Sequence, residues 1–186
     1  MTNEIQQDEK RSLTLSERLA LKRGITKFAI LCDTSGSMYT DVEPGQSRID
    51  VLRNIVKELS NAPIIVFNNN AMLADKNSIP KPCGGTYFSK ALQLAKDHGI
   101  LNVVLLTDGQ NSKSDETATL EIAKGMNIRI MYIGTGERPE FLSKLANQSG
   151  SFATTEDLKK PKEIKEKIQL LLDSGNKQEQ KGPICL

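Results

Sequence analysis

The sequence predicts an α/β fold, a doubly wound, mostly parallel sheet with helices on both faces. Short apolar segments alternate with segments of helical period along most of the chain. Residues 103–106 are apolar at consecutive rather than alternate positions, which is typical of a strand covered on both faces. Strands and helices that alternate at this spacing predict right-handed crossovers and therefore parallel strands.

Five strands are predicted, and a sixth could form at the edge of the sheet. The candidates are residues 27–32, 64–67, 102–107, 128–133 and a weaker segment at 151–153, with a short edge strand at 71–74.

Helices are predicted between these strands from apolar spacing and from residues that favour helix ends. Ser47 can cap the first helix, whose apolar face holds Ile49, Leu52, Ile55, Val56 and Leu59. The second carries Phe88, Ala91, Leu92 and Ala95 and stops at Gly99, and the third runs from Ser114 to Gly125. Proline suits the first helical turn, so Pro139 and Pro161 predict two more helices. Their apolar residues are Phe141, Leu142 and Leu145 in the fourth, and Ile164, Ile168, Leu171 and Leu172 in the last.

The chain of 186 residues is expected to form one domain with tails. We assign residues 1–24 to an N-terminal tail and a short helix, which a capping-box pattern at 14–17 introduces. Residues 25–173 form the domain, and residues 174–186 are expected to be a flexible tail.

Composition argues against several classes of function. A formal net charge of +2, with basic residues dispersed among acidic ones, does not predict the basic surface that nucleic-acid binding needs. Three cysteines and one histidine, without a Cys-x-x-Cys spacing, argue against a zinc site and fit a reducing compartment. No apolar run is long enough to span a membrane, and the polar N-terminus does not resemble a signal peptide, so we expect a cytoplasmic location.

The most informative residues follow two of the predicted strands. Asp33, Ser35 and Ser37 follow the first strand on a turn that contains Gly36, and Asp108 follows the strand at 102–107. Ligands of an open parallel sheet bind at the carboxyl ends of the strands, where the strand order reverses, and we expect these two strands to be neighbours there.

A third loop is expected to reach the same crevice. Gly84 and Gly85 precede the second helix and let the backbone approach a ligand, and Thr86 adds a hydroxyl where a helix begins. The predicted ligand shell is therefore Asp33, Ser35, Ser37, Thr86 and Asp108, completed by water.

Carboxylate and hydroxyl oxygens suit a hard cation, with Mg²⁺ favoured over Mn²⁺ or Ca²⁺. If the direct ligands are mainly hydroxyls, the ion keeps an exchangeable water that a partner's Glu or Asp can replace.

The three motifs in this order resemble a von Willebrand factor type A domain with its metal-ion-dependent adhesion site. They are Asp-x-Ser-x-Ser at 33–37, Gly-Gly-Thr at 84–86 and Thr-Asp-Gly at 107–109, and the similarity in organisation runs from about residue 27 to 172. The resemblance implies metal-assisted protein–protein binding without catalysis. It also implies an intracellular assembly, in which an AAA-type ATPase could take part. The segment between Phe67 and Thr86 is shorter than the corresponding hairpin of the family.

Other interpretations of the same residues remain open. Asp33, Ser35 and Ser37 could only cap backbone amides, Asp108 could belong to a plain Asp-Gly turn, and Thr86 could be the N-cap of its helix. Two other functions are a magnesium-dependent phosphoryl-transfer enzyme and a scaffold whose metal is purely structural. The first would need a second Asp where this chain has Ser35.

Overall fold

The computed structural model describes residues 28–57, 59, 62–133, 137, 139–149, 152–154, 162–163, 165–168 and 170. The predicted N-terminal helix and both predicted tails lie outside this range.

The described chain forms an α/β fold around a mostly parallel sheet. Six strands lie in the order β5-β4-β1-β6-β7-β8, and only β5 runs antiparallel to its neighbour. They are β1 (Phe28–Asp33), β4 (Ile64–Phe67), β5 (Ala71–Ala74), β6 (Asn102–Thr107), β7 (Asn127–Tyr132) and β8 (Phe152–Thr154). The edge strand at 71–74 is thereby confirmed, and the other strand ends differ from the prediction by one residue at most.

In the described part of the chain, four helices of eight or more residues lie between the strands. They are α1 (Arg48–Lys57), α2 (Phe88–Asp97), α3 (Glu116–Ala123) and α4 (Glu140–Ser149). Short 3-10 turns at Gly36–Tyr39 and Lys113–Asp115 precede α1 and α3. Of the last predicted helix, the described residues 162–163, 165–168 and 170 are helical and Ile168 is buried.

The sheet separates two apolar cores, because successive side chains of a strand point to opposite faces. Ala29 and Leu31 of β1 pack with residues of α2, α3 and α4, whereas Ile30 and Cys32 pack with α1 and Ile168. Helices therefore cover both faces, which explains why β1 and β6 are apolar at consecutive positions.

Two local predictions need correction. The segment after Tyr39, for which no strand was predicted, forms an antiparallel hairpin of β2 (Asp41–Glu43) and β3 (Gln46–Ser47). Its turn contains Gly45 at a φ of 78°, where glycine is favoured. The third helix begins at Glu116 rather than Ser114, because residues 113–115 form a 3-10 turn first.

Among the described residues, no helix has the length and apolar character that crossing a bilayer requires.

Candidate metal centre

The carboxyl ends of β1 and β6 bring two of the predicted site residues together. The two strands are parallel neighbours, with Cys32 opposite Leu106. Asp33 is the last residue of β1, and Asp108 directly follows β6. Both carboxylates therefore lie at the carboxyl ends of the two central strands. After β1 the chain continues to β4 on one side of this pair, and after β6 it continues to β7 on the other.

The Asp33 side chain is fully buried and held at both oxygens. Its Oδ1 accepts a hydrogen bond from the Ser35 backbone N–H at 2.8 Å, and its Oδ2 accepts one from the Thr107 hydroxyl at 2.6 Å. Burial raises the pKa of Asp33 to about 7; hydrogen bonds from Thr107 and Ser35 oppose the shift, and the negative charge of Asp108 adds to it. A nearby positive charge would favour the ionised form of this carboxyl group.

The two serines of the first motif lie side by side. The Ser35 and Ser37 hydroxyl oxygens are 3.1 Å apart; Ser35 is the N-cap of the 3-10 turn that begins at Gly36, and Ser37 lies within it. Ser35 is buried and Ser37 is partly exposed, so this oxygen pair extends from Asp33 towards the surface.

The glycine-containing loop before α2 is bonded directly to this turn. The Gly36 N–H donates to the Gly84 carbonyl at 3.0 Å, and the Cys83 N–H donates to the Thr34 carbonyl at 2.9 Å. These backbone bonds fix the position of residues 83–86 beside the Asp33 turn.

Glycine at position 84 is favoured by the backbone conformation and by a protein contact that the sequence prediction missed. Gly84 has a φ of 70°, and the Asn69 side chain lies only 3.0 Å from the position that a Cβ atom would take there. The Asn69 Oδ1 also accepts a hydrogen bond from the Gly85 N–H at 2.6 Å. In the described structure the Asn69 side chain approaches this backbone closely, and the close approach of a ligand stays a prediction.

Thr86 is buried and lies between the other two loops. Its carbonyl accepts a hydrogen bond from the Ser112 N–H at 3.1 Å, which joins the loop after β6 to the loop before α2. Thr86 is not the N-cap of α2; that position is Tyr87, whose side chain makes no capping hydrogen bond.

Asp108 has a partner that the sequence did not indicate. Its Oδ2 accepts a hydrogen bond from the Arg48 guanidinium at 2.9 Å, and the two side chains are only 0% and 9% exposed. Arg48 is the first residue of α1 and lies far from Asp108 in sequence, so no local pattern reveals the pair.

Thr107 was also missed as a functional residue, although it belongs to the Thr-Asp-Gly motif. Its hydroxyl donates to Asp33 and accepts a hydrogen bond from the Gly109 N–H at 2.9 Å. Thr107 therefore connects the carboxylate of β1 to the turn that carries Asp108.

The donor set fits a hard cation of the magnesium class. Two carboxylates and three hydroxyls belong to loops joined by direct hydrogen bonds at one edge of the sheet. Within the described ranges, no group of three or more His, Cys, Asp or Glu side chains is arranged to hold a metal ion. Any site here would therefore depend on hydroxyl oxygens, and Mg²⁺, which retains several waters, needs few protein carboxylates.

Comparison with protein-family models finds no match to this chain. Comparison with curated proteins likewise finds no significant similarity.

Proposed function

We propose that this protein is a metal-dependent protein–protein interaction module. A Mg²⁺-class ion would be held by Asp33, Ser35, Ser37, Thr86 and Asp108, and it would bind an acidic side chain of a partner. The observation that carries the proposal is the direct bonding between the three loops that bear these side chains. Independent caps of separate turns would not require such contacts.

The chain's own residues would have two roles: they would supply negative charge to the ion and leave the ion accessible to a partner. Asp33 is buried and oriented by Thr107 and Ser35, so it would supply a carboxylate ligand whose ionised form the cation favours. The Ser35–Ser37 pair leads from this carboxylate to the surface, where a partner would approach. The bound ion would supply a Lewis-acidic position for the partner's carboxylate.

The resemblance to von Willebrand factor type A domains supports the same proposal. The described sheet has its first strand in the centre, with the motif-bearing strand β6 beside it. This arrangement is compatible with that family and with other Rossmann-like folds. We therefore propose the adhesion-site family as the finer assignment.

Two measurements test this function, and the first is ion binding. Titration of Mn²⁺ should show one site in the wild-type protein, detected by electron paramagnetic resonance, and Mg²⁺ should compete for it. Asp33→Asn should weaken binding roughly tenfold or more through the loss of a ligand charge. Asp97→Asn removes an exposed carboxylate of α2 and should leave binding unchanged. Equal binding by Asp33→Asn and the wild type would reject the site.

The second measurement separates partner binding from a purely structural metal. Peptides that contain a single Glu should perturb the nuclear magnetic resonance signals of the loops at 33–37 and 107–112 in Mg²⁺ and not in chelator. Peptides with Gln at that position should perturb neither sample. Stabilisation by Mg²⁺ without a Glu-dependent effect would favour the structural-metal alternative.

A further inference from the structure

Arg48 provides a positive charge inside the candidate metal centre. It donates to Asp108 Oδ2 at 2.9 Å, and both side chains are almost completely removed from solvent. The Arg48 backbone N–H also donates to the Thr40 carbonyl at 3.0 Å, which fixes the start of α1 beside the 3-10 turn that bears Ser37. The guanidinium thus belongs to the same cluster as the proposed ligands.

The position of this charge has an electrostatic consequence. Two buried carboxylates and one guanidinium carry less negative charge than two carboxylates alone, and a buried guanidinium repels an incoming divalent cation. The same guanidinium compensates Asp108 when no cation is present, because a buried carboxylate without a partner is strongly destabilising.

We propose that Arg48 competes with the divalent cation for Asp108 and thereby limits the affinity of the site. This inference rests on the proposed function, since it assumes that Asp108 belongs to a metal centre. Arg48 acts through Asp108 and is a positioning residue. In the metal-free protein it stabilises the fold, and in the metal-bound protein it opposes the ion.

Arg53 offers a matched control on the same helix. It pairs with Asp50 at 3.1 Å and donates to the carbonyl oxygens of Ile79 and Pro80, so these partners are groups other than Asp108. Arg53→Gln removes the same charge as Arg48→Gln without removing a partner of Asp108.

The test is Mn²⁺ titration of the full chain, with electron paramagnetic resonance as the readout. Arg48→Gln should bind Mn²⁺ roughly tenfold more tightly than the wild type, because a nearby like charge has been removed. Arg53→Gln and the charge-conserving Arg48→Lys should each stay within about threefold of the wild type, since the repulsion at Asp108 is retained. Unchanged or weaker binding by Arg48→Gln, when the wild type does bind, would overturn the competition.

Thermal unfolding with and without Mn²⁺ gives a second readout, because a merely structural role of Arg48 would cause a melting difference that Mn²⁺ does not change. In chelator, Arg48→Gln should melt below the wild type, and saturating Mn²⁺ should narrow that difference because the ion compensates Asp108. If Arg48→Gln is unfolded in chelator, Mn²⁺ should restore its far-ultraviolet circular dichroism. A melting difference that Mn²⁺ leaves unchanged, or a failure to restore the fold, would contradict the inference. Absence of Mn²⁺ binding by every variant and by the wild type would reject the proposed function itself.

Discussion

At the scale of single residues, Gly109 fixes the position of the turn that carries Asp108. Gly109 follows Asp108 with a φ of 83°, and a Cβ there would lie 2.7 Å from Pro139 Cγ and 3.0 Å from Leu142 Cδ1. The turn that carries Asp108 is therefore packed directly against the start of α4. Only glycine satisfies both the dihedral angle and this contact.

Gly109→Ala should lower the free energy of unfolding by about 3 kcal/mol, the sum of left-handed strain and overpacking. Gly125 is the matched control, since its φ is 79° and no atom lies within 4 Å of its Cβ position. Gly125→Ala should therefore cost about 1 kcal/mol, the strain alone. Urea denaturation of both variants measures the difference, and equal losses would contradict the packing argument.

Asp33 predicts how the stability of the metal-free protein depends on pH. Burial raises its pKa from an ordinary value of 3.8 to about 7, so the folded state binds this proton more tightly than the unfolded chain does. The contribution is fully present below about pH 4 and is lost as pH rises through about 7, with a size on the order of a few kcal/mol. Denaturation in chelator should show a larger loss of stability from pH 5 to pH 8 for the wild type than for Asp33→Asn. Identical losses would show that Asp33 does not carry the shift.

At the scale of elements, one buried carboxylate links two helices. Asp115 accepts hydrogen bonds from the Ser89 backbone N–H at 3.0 Å, from the Ser89 hydroxyl, and from the Thr119 hydroxyl at 2.9 Å. Ser89 lies in the first turn of α2, where unpaired N–H groups favour a negative charge. Asp115 thus supplies from the start of α3 the cap that Tyr87 does not provide.

Asp115→Ala should lower the free energy of unfolding by about 3 kcal/mol, because it leaves a buried N–H and two hydroxyls without their acceptor. Asp97 is a suitable control, since its carboxylate accepts a hydrogen bond from Gln93 at an exposed site. Asp97→Ala should change stability by less than about 0.5 kcal/mol. Thermal denaturation compares the two variants, and a small effect of Asp115→Ala would disprove the shared cap.

At the scale of the whole molecule, the sheet order places Cys32 in the most protected part of the fold. Cys32 lies in the central strand β1 and is 0% exposed, and burial raises the pKa of its thiol to about 12. Cys83 is exposed on the loop before α2. Reaction of the Cys32 thiol therefore reports on global opening of the fold, whereas reaction of the Cys83 thiol reports on solvent access to the loop before α2.

Iodoacetamide should label Cys83 in the native protein, whereas Cys32 should react only when the sheet opens, since the thiolate is the reactive form. Peptide-resolved mass spectrometry follows each site, and we expect Cys32 to react at least about a hundredfold more slowly. Mg²⁺ should slow Cys32 further if it stabilises the fold. Comparable native labelling of the two cysteines would contradict the described burial.

Much of this architecture could be predicted from local pattern. The strands at 64–67 and 102–107 lie at the predicted positions, and α2 ends before Gly99 as predicted. These features are local because apolar runs, cap residues and glycine turns act over a few residues. The hairpin at 41–47 was missed because its strands are only two or three residues long.

The amino-acid sequence by itself determined the alternation of strands and helices and the places along the chain where oxygen-bearing side chains follow a strand. Only the tertiary structure decided what those side chains touch. These contacts join separate elements: Arg48 with Asp108, Thr107 with Asp33, Asn69 with Gly84 and Asp115 with Ser89. Each depends on strand order and helix position, and no periodicity in the sequence encodes which distant residue will lie at hydrogen-bonding distance.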